Sequence, residues 1–160
     1  MNFLEVILDR LRQTPDRIVL QEIRDGRAEG VPCSDFLNLV LKVRTYLRRN
    51  GIKKGDRCAL LAPNSIRWTA VDLAIMAEGG VVVPLYSRQA SHELVGMMKD
   101  CSPSVILCGD SVLRDNVLQN WTGAPRACLF DELFARGEDP DIEEQPFPVA
   151  DSDPVTIIYT

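Results

Sequence analysis

Residues 66–85 constrain the fold of this chain more tightly than any other stretch. From Ile66 to Ala77, apolar side chains fall on nearly every side of a helix, through Trp68, Ala70, Val71, Leu73, Ala74, Ile75 and Met76. A helix without a polar face must pack against more than one neighbour, so it belongs inside a layered protein. Gly79-Gly80 stops it, and Val81-Val82-Val83-Pro84-Leu85 follows as an unbroken apolar strand. Strands that are apolar on both faces are the habit of parallel sheets, which are covered on both sides.

The neighbouring segments keep this alternation. Phe3, Leu4, Ile7, Leu8 and Leu11 recur at three- and four-residue steps and predict an amphipathic opening helix. Ile18–Ile23 reads as a strand and Asp25-Gly26 as a turn back toward Val31, which suggests a hairpin. Ser34-Asp35 is the expected N-cap of a helix with a buried stripe of Phe36, Val40, Val43 and Leu47, stopped by Gly51. Arg57–Ala62 is a short apolar strand, and Pro63-Asn64-Ser65 opens the buried helix. Ser91 is the expected cap of a helix carrying Leu94, Val95 and Met98, and Val105–Cys108 is a strand. Leu113, Val117 and Trp121 share one face of another helix, and Ala127–Phe130 reads as a further strand. Such strand–helix–strand units predict an α/β fold: a layered, mostly parallel sheet flanked by helices, with right-handed crossovers, over residues 1–135. Residues 136–154, with Pro140, Pro146, Pro148 and Pro154, read as a solvated, extended connector, and Val155–Thr160 as a strand.

Charge and cysteine usage narrow the function classes. The net charge is −5, but residues 136–154 hold seven acids against Arg136 alone, which leaves the other 141 residues at +1. A nucleic-acid partner would require a broad basic face, and none is implied. The five cysteines, Cys33, Cys58, Cys101, Cys108 and Cys128, never form a C-x-x-C pair, which argues against zinc and redox motifs. They read as small buried residues in a reducing compartment. Glu5 and Asp9 interrupt the opening apolar stretch, against a signal peptide, and no apolar run reaches the ~20 residues of a transmembrane segment. A cytoplasmic protein is expected.

Familiar catalytic constellations are missing. His92 stands alone beside Ser91 and reads as a surface residue. There is no G-x-S-x-G, no dinucleotide fingerprint and no Walker loop. Arg44, Arg48, Arg49, Lys53, Lys54 and Arg57 form a local basic cluster, explained mainly by helix-end electrostatics, with contact to an anion or to CoA as the alternative.

Three ordered landmarks carry a resemblance. Gly51-Ile-Lys-Lys-Gly-Asp-Arg57, Leu60-Leu-Ala-Pro-Asn-Ser65 and Ala74-Ile-Met-Ala-Glu-Gly-Gly-Val-Val-Val-Pro-Leu85 are similar to successive motifs of the adenylate-forming superfamily, in order and spacing, from about Ile18 to Thr160. That superfamily takes in acyl-CoA synthetases, luciferases and peptide-synthetase adenylation domains. Val71–Ile75, Pro84-Leu85-Tyr86 and the Thr-Ile-Ile-Tyr-Thr ending most resemble long-chain fatty acid–CoA ligases, whereas Ser87-Arg88-Gln89-Ala90 departs from their usual turn.

The resemblance implies the first part of the large N-terminal domain of such an enzyme. In the family, a strand ending Tyr-Thr runs into a Ser/Thr/Gly-rich loop with a lysine, which surrounds ATP phosphates with hydroxyls and backbone N–H groups. Tyr159 and Thr160 match the mouth of that loop, with Thr160 as a phosphate-facing hydroxyl, and the chain reads as stopping where the loop begins. ATP, Mg²⁺ and CoA are implied for the full-length enzyme, none held tightly by this fragment, along with a fatty acid or another carboxylic acid and a homodimer as in some long-chain relatives. No catalytic or metal-binding residue is expected within the fragment, which alone should be inactive. An adenylating enzyme for another acid and a non-catalytic α/β interaction module are the competing expectations.

Overall fold

The computed structural model describes residues 2–135, 140 and 145–160. Most of the acidic run, including Glu138, Asp139, Asp141, Glu143 and Glu144, lies outside the described residues.

A two-stranded antiparallel hairpin, β1 (Ile18–Arg24) and β2 (Arg27–Pro32), follows the opening helix α1 (Phe3–Gln13). Asn2 and Glu5 close a capping box at the start of α1, each side chain accepting the other's backbone N–H at 3.0 Å. Helix α2 (Cys33–Arg49) follows. The main sheet has four parallel strands in the order β4-β3-β5-β6: β3 (Arg57–Leu61), β4 (Val81–Leu85), β5 (Val105–Cys108) and β6 (Ala127–Leu129). Helices α3 (Ile66–Ala77), α4 (Ser91–Cys101) and α5 (Ser111–Asn120) make the crossovers, and α6 (Phe130–Leu133) is a single turn.

Successive residues of each strand enter opposite cores, the period-two consequence of the pleat. Cys58, Leu60, Val82, Val105 and Leu107 face α1, α2 and α3. Ala59, Leu61, Val83, Leu85, Ile106 and Cys108 face α4 and α5. The sheet is thus covered on both sides, as its apolar strands require. α3 buries Ala70, Val71, Leu73, Ala74, Ile75 and Ala77, and Ser65 caps it by accepting the Trp68 N–H at 3.0 Å.

Several local expectations are corrected. α2 starts at Cys33, ahead of the anticipated Ser34-Asp35 cap, with no side-chain cap. Its first N–H groups are satisfied by the connection between α1 and β1 instead: Cys33 donates to Arg17 O and Ser34 to Pro15 O. Ser91 is the first residue of α4, because Glu93 and Leu94 both donate to Ala90 O and close the turn one residue earlier. Phe130 leaves the strand for α6, where the Glu132 carboxylate accepts the Leu129 N–H at 2.7 Å and Phe130 meets Phe134 edge-on. Trp121 caps α5 from outside the helix.

Among the described residues of the connector, 145–154 are mostly exposed but touch the body, and Val155–Thr160 forms one bridge in place of a full strand. Phe147 donates to Ala77 O at 2.7 Å, Val149 packs on the α1–α3 side of the core, and Lys54 Nζ pairs with Asp153 at 2.6 Å. The segment is a strap laid on the body. Beyond it, Val155–Thr160 runs parallel to β4 through one bridge, Val82 to Thr156, flanked by Val82 N–H to Val155 O and Ile157 N–H to Val82 O. Burial alternates along it, with Ile157 and Tyr159 inward and Ile158 outward.

Candidate functional site

Open parallel sheets bind ligands outside the carboxyl ends of their strands, where the loops diverge. Here the loops after β3 and β4 border a cleft of about 450 Å³. Pro63 and Asn64 approach from the β3 loop, Trp68 from the first turn of α3, and Tyr86, Ser87 and Arg88 from the β4 loop. The strand ends behind it sit close together: a Cβ at Gly109, which follows β5, would come within 2.7 Å of Ala62 Cβ. The geometry therefore needs glycine there to keep the two loops in contact. Tyr86 is largely exposed, and Arg88 has no ion-pair partner among the described residues. The cleft offers an aromatic wall and one uncommitted cation, a surface suited to an anionic or nucleotide-like group.

Thr160 and Tyr159 lie on opposite faces of the edge segment. Thr160 is exposed, four residues beyond the Val82–Thr156 bridge, and is not among the residues that line the cleft. Tyr159 points the other way, into the core formed by α4 and α5, and its hydroxyl donates to Asp100 Oδ2 at 2.7 Å. Donation to Asp100, and secondarily burial, holds the phenol above its ordinary range. Tyr159 thus anchors the segment. Asn64, Trp68 and Arg88 carried no site expectation from sequence. The one available signal was their position directly after two neighbouring apolar strands.

The other candidates fall elsewhere. His92 is exposed on α4. All five cysteines are buried and free, and burial pushes Cys58 and Cys108 up to about 12, which leaves them unreactive thiols. The basic cluster is largely committed to structure. Arg44 and Arg48 both donate to Glu78, Lys54 pairs with Asp153, and Arg57 donates to Ser102 O at 3.2 Å. Among the described residues there is no group of three His, Cys, Asp or Glu able to hold a metal ion. No described helix is long and apolar enough to cross a membrane.

Known proteins resemble this arrangement throughout. Long-chain-fatty-acid–CoA ligase FadD15 of Mycobacterium bovis is 26% identical over 99% of the chain, which covers 29% of that protein. The 2-succinylbenzoate–CoA ligase of Geobacillus is 31% identical over 96% of the chain, again 29% of the relative. The chain therefore spans about three tenths of the length of these curated relatives. Among solved structures, the N-terminal domain of FACL13 from Mycobacterium tuberculosis superposes with a TM-score of 0.81 at 22% identity, covering 100% of this chain and 41% of that one. The N-terminal subdomain of Klebsiella oxytoca NpsA, in complex with 3-hydroxybenzoyl-AMSN, gives 0.78 at 23% identity, covering 97% and 37%. At these identities the structural matches speak for the fold alone: the α/β body has the architecture of the corresponding N-terminal parts of those proteins. The AMP-binding enzyme family itself matches over residues 8–160, and the chain belongs to it.

Proposed function

We propose that this chain is the amino-terminal part of an ATP-dependent acid–CoA ligase acting on a fatty acid. The observation that supports the reading is the match of the AMP-binding family over residues 8–160, in a chain whose last segment runs parallel to β4 through the Val82–Thr156 bridge; Thr160 is read as its phosphate-facing hydroxyl. A hydroxyl on a strand pinned at Tyr159 is the kind of fixed donor that a phosphate-binding turn needs at its entrance. The ligase names of the relatives support CoA as acceptor, and the FadD15 match supports a long-chain acid.

The reaction has two halves. A carboxylate oxygen bonds to the α-phosphorus of ATP while the bond to the bridging oxygen breaks, so pyrophosphate leaves and an acyl-adenylate remains. The CoA sulfur then bonds to the acyl carbon, AMP departs with the carboxylate-derived oxygen, and the thiol proton passes to solvent. Both halves depend on positioning and on charge stabilisation. This chain supplies the rigid edge, with Thr160 and Arg88 facing the phosphates or the adenylate, while Tyr159 holds the edge in place. Mg²⁺ would offset phosphate charge in the whole protein. Cytoplasmic location and a homodimer belong to the same reading.

A second reading, activation of an acid for transfer to a carrier-protein thiol, is favoured by matches to hybrid PKS-NRPS synthetases. Hybrid PKS-NRPS synthetase thnA of Trichoderma harzianum is 30% identical over 75% of the chain, which covers 3% of that protein. The two part on the acceptor. Full-length protein supplied with ATP, Mg²⁺, CoA and a panel of acids should consume CoA thiol fastest with long-chain fatty acids. Consumption only with an aryl or amino acid would remove the fatty-acid assignment, and activation without CoA consumption would favour the carrier-protein reading.

A further inference from the structure

Glu78 ends the most apolar helix of the molecule, yet it is only 4% exposed and beside Arg44, which is completely buried. Its carboxylate accepts from Arg44 Nε at 2.8 Å and from Arg48 Nε and Nη2 at 3.0 Å each. Arg44 reaches further: its Nη2 donates to the backbone carbonyl of Gln145 at 2.8 Å. That carbonyl opens the strap. Two residues on, Phe147 bonds to Ala77 O at the end of α3, and a Cβ at Gly79 would already crowd the Phe147 ring at 3.2 Å. Asp153 then holds Lys54, Val155 and Ile157 hold Val82, and Tyr159 holds Asp100. A buried charge pair is a weak source of net stability, since desolvation offsets most of the attraction. What it does well is fix one geometry. Here the fixed geometry is an arginine fork aimed at the strap.

We propose that Glu78 is a positioning residue: by orienting Arg44, it sets the course of the strap Gln145–Tyr159 and so the direction in which Thr160 meets the carboxyl end of the sheet. The single carboxylate pairs with both arginines and holds Arg44 by its Nε, while Nη2 donates to Gln145. Removing it takes the Nε anchor from a completely buried guanidinium and loosens the aim of Nη2 at the Gln145 carbonyl. The catalytic part of this proposal rests on the functional reading above; the structural part does not.

Two variants test it. Glu78→Gln keeps the shape and removes the charge. The pair Arg44→Met with Glu78→Leu replaces the buried ions by apolar groups, which restores a foldable core while leaving Gln145 unbonded. In the 160-residue chain, hydrogen exchange at Val155 to Ile157 should quicken about tenfold in both variants, with Ala59 and Ile106 unchanged. In the full-length protein, KM for ATP should rise several-fold, while KM for the acid and kcat stay within about twofold. Unchanged exchange at Ile157 in the paired variant would overturn the proposal. So would uniform quickening of exchange across the sheet, which marks a general stability role. If the wild-type full-length protein activates no acid, the functional reading fails and the exchange measurement still decides whether Glu78 governs the strap.

Discussion

At the residue scale, two positions show how burial and backbone geometry translate into measurable energies. Asp72 lies partly buried in α3, and burial pushes its carboxyl up to about 6 from 3.8. Between those values the folded chain binds a proton that the unfolded chain has lost, so stability falls as pH rises through the window and stays lower above it. Asp72→Asn should therefore stabilise the protein at pH 7.5 by roughly 1 kcal/mol, allowing for partial solvent screening, and change little at pH 4. Thermal melts at the two pH values check this, and an equal effect at both would contradict it. Gly79 is the second position. Its φ is +76°, in the left-handed region, and the Phe147 ring and Lys54 stem close over it. Gly79→Ala should cost about 1–2 kcal/mol in urea unfolding, from backbone strain alone, and more where Phe147 must move.

At the scale of elements, the edge segment Val155–Thr160 depends on few bonds. Removing the hydroxyl that Tyr159 donates to Asp100 should cost about 0.5–1.5 kcal/mol at most, and Tyr159→Phe should quicken amide exchange at Ile157 more than in β3 or β5. Equal exchange in all strands of the variant would deny Tyr159 its anchoring role. The elements that were legible beforehand are those whose periodicity decides their burial. The strands at 57–61, 81–85 and 105–108 and the helix at 66–77 carry apolar side chains at each position their two-sided burial demands. What escaped reading depends on contacts distant in sequence. The start of α2 is fixed by the Arg17 and Pro15 carbonyls rather than by Ser34, and no local pattern encodes that. Prolines and acids mark residues 136–154 as a solvated connector, and what they do not disclose is the contact of Phe147 and Val149 with the body. Glu78 gave no local hint of burial, because its partners Arg44 and Arg48 lie a helix away. The cleft was hidden for the same reason, its lining divided between two loops that only the parallel sheet brings together.

At the scale of the whole molecule, the two cores are closed while the outer edge of Val155–Thr160 carries no further strand among the described residues, and Ile158 is exposed there. Unpaired edges with apolar side chains associate. The 160-residue chain should therefore elute larger than a monomer at high concentration and bind a hydrophobic dye, and Ile158→Lys should reduce both. Monomeric elution with weak dye binding would contradict this. The central claim concerns chemistry. It holds that the edge carrying Thr160, with the cleft of Arg88, forms part of an apparatus that joins a carboxylate to AMP. Acid-dependent exchange of labelled pyrophosphate into ATP by the full-length protein tests it most directly. The account predicts robust exchange with a long-chain fatty acid, none with the 160-residue chain alone, and a several-fold loss in the full-length Arg88→Ala variant. Robust exchange by the 160-residue chain, or none by the full-length protein with any carboxylic acid, would contradict it.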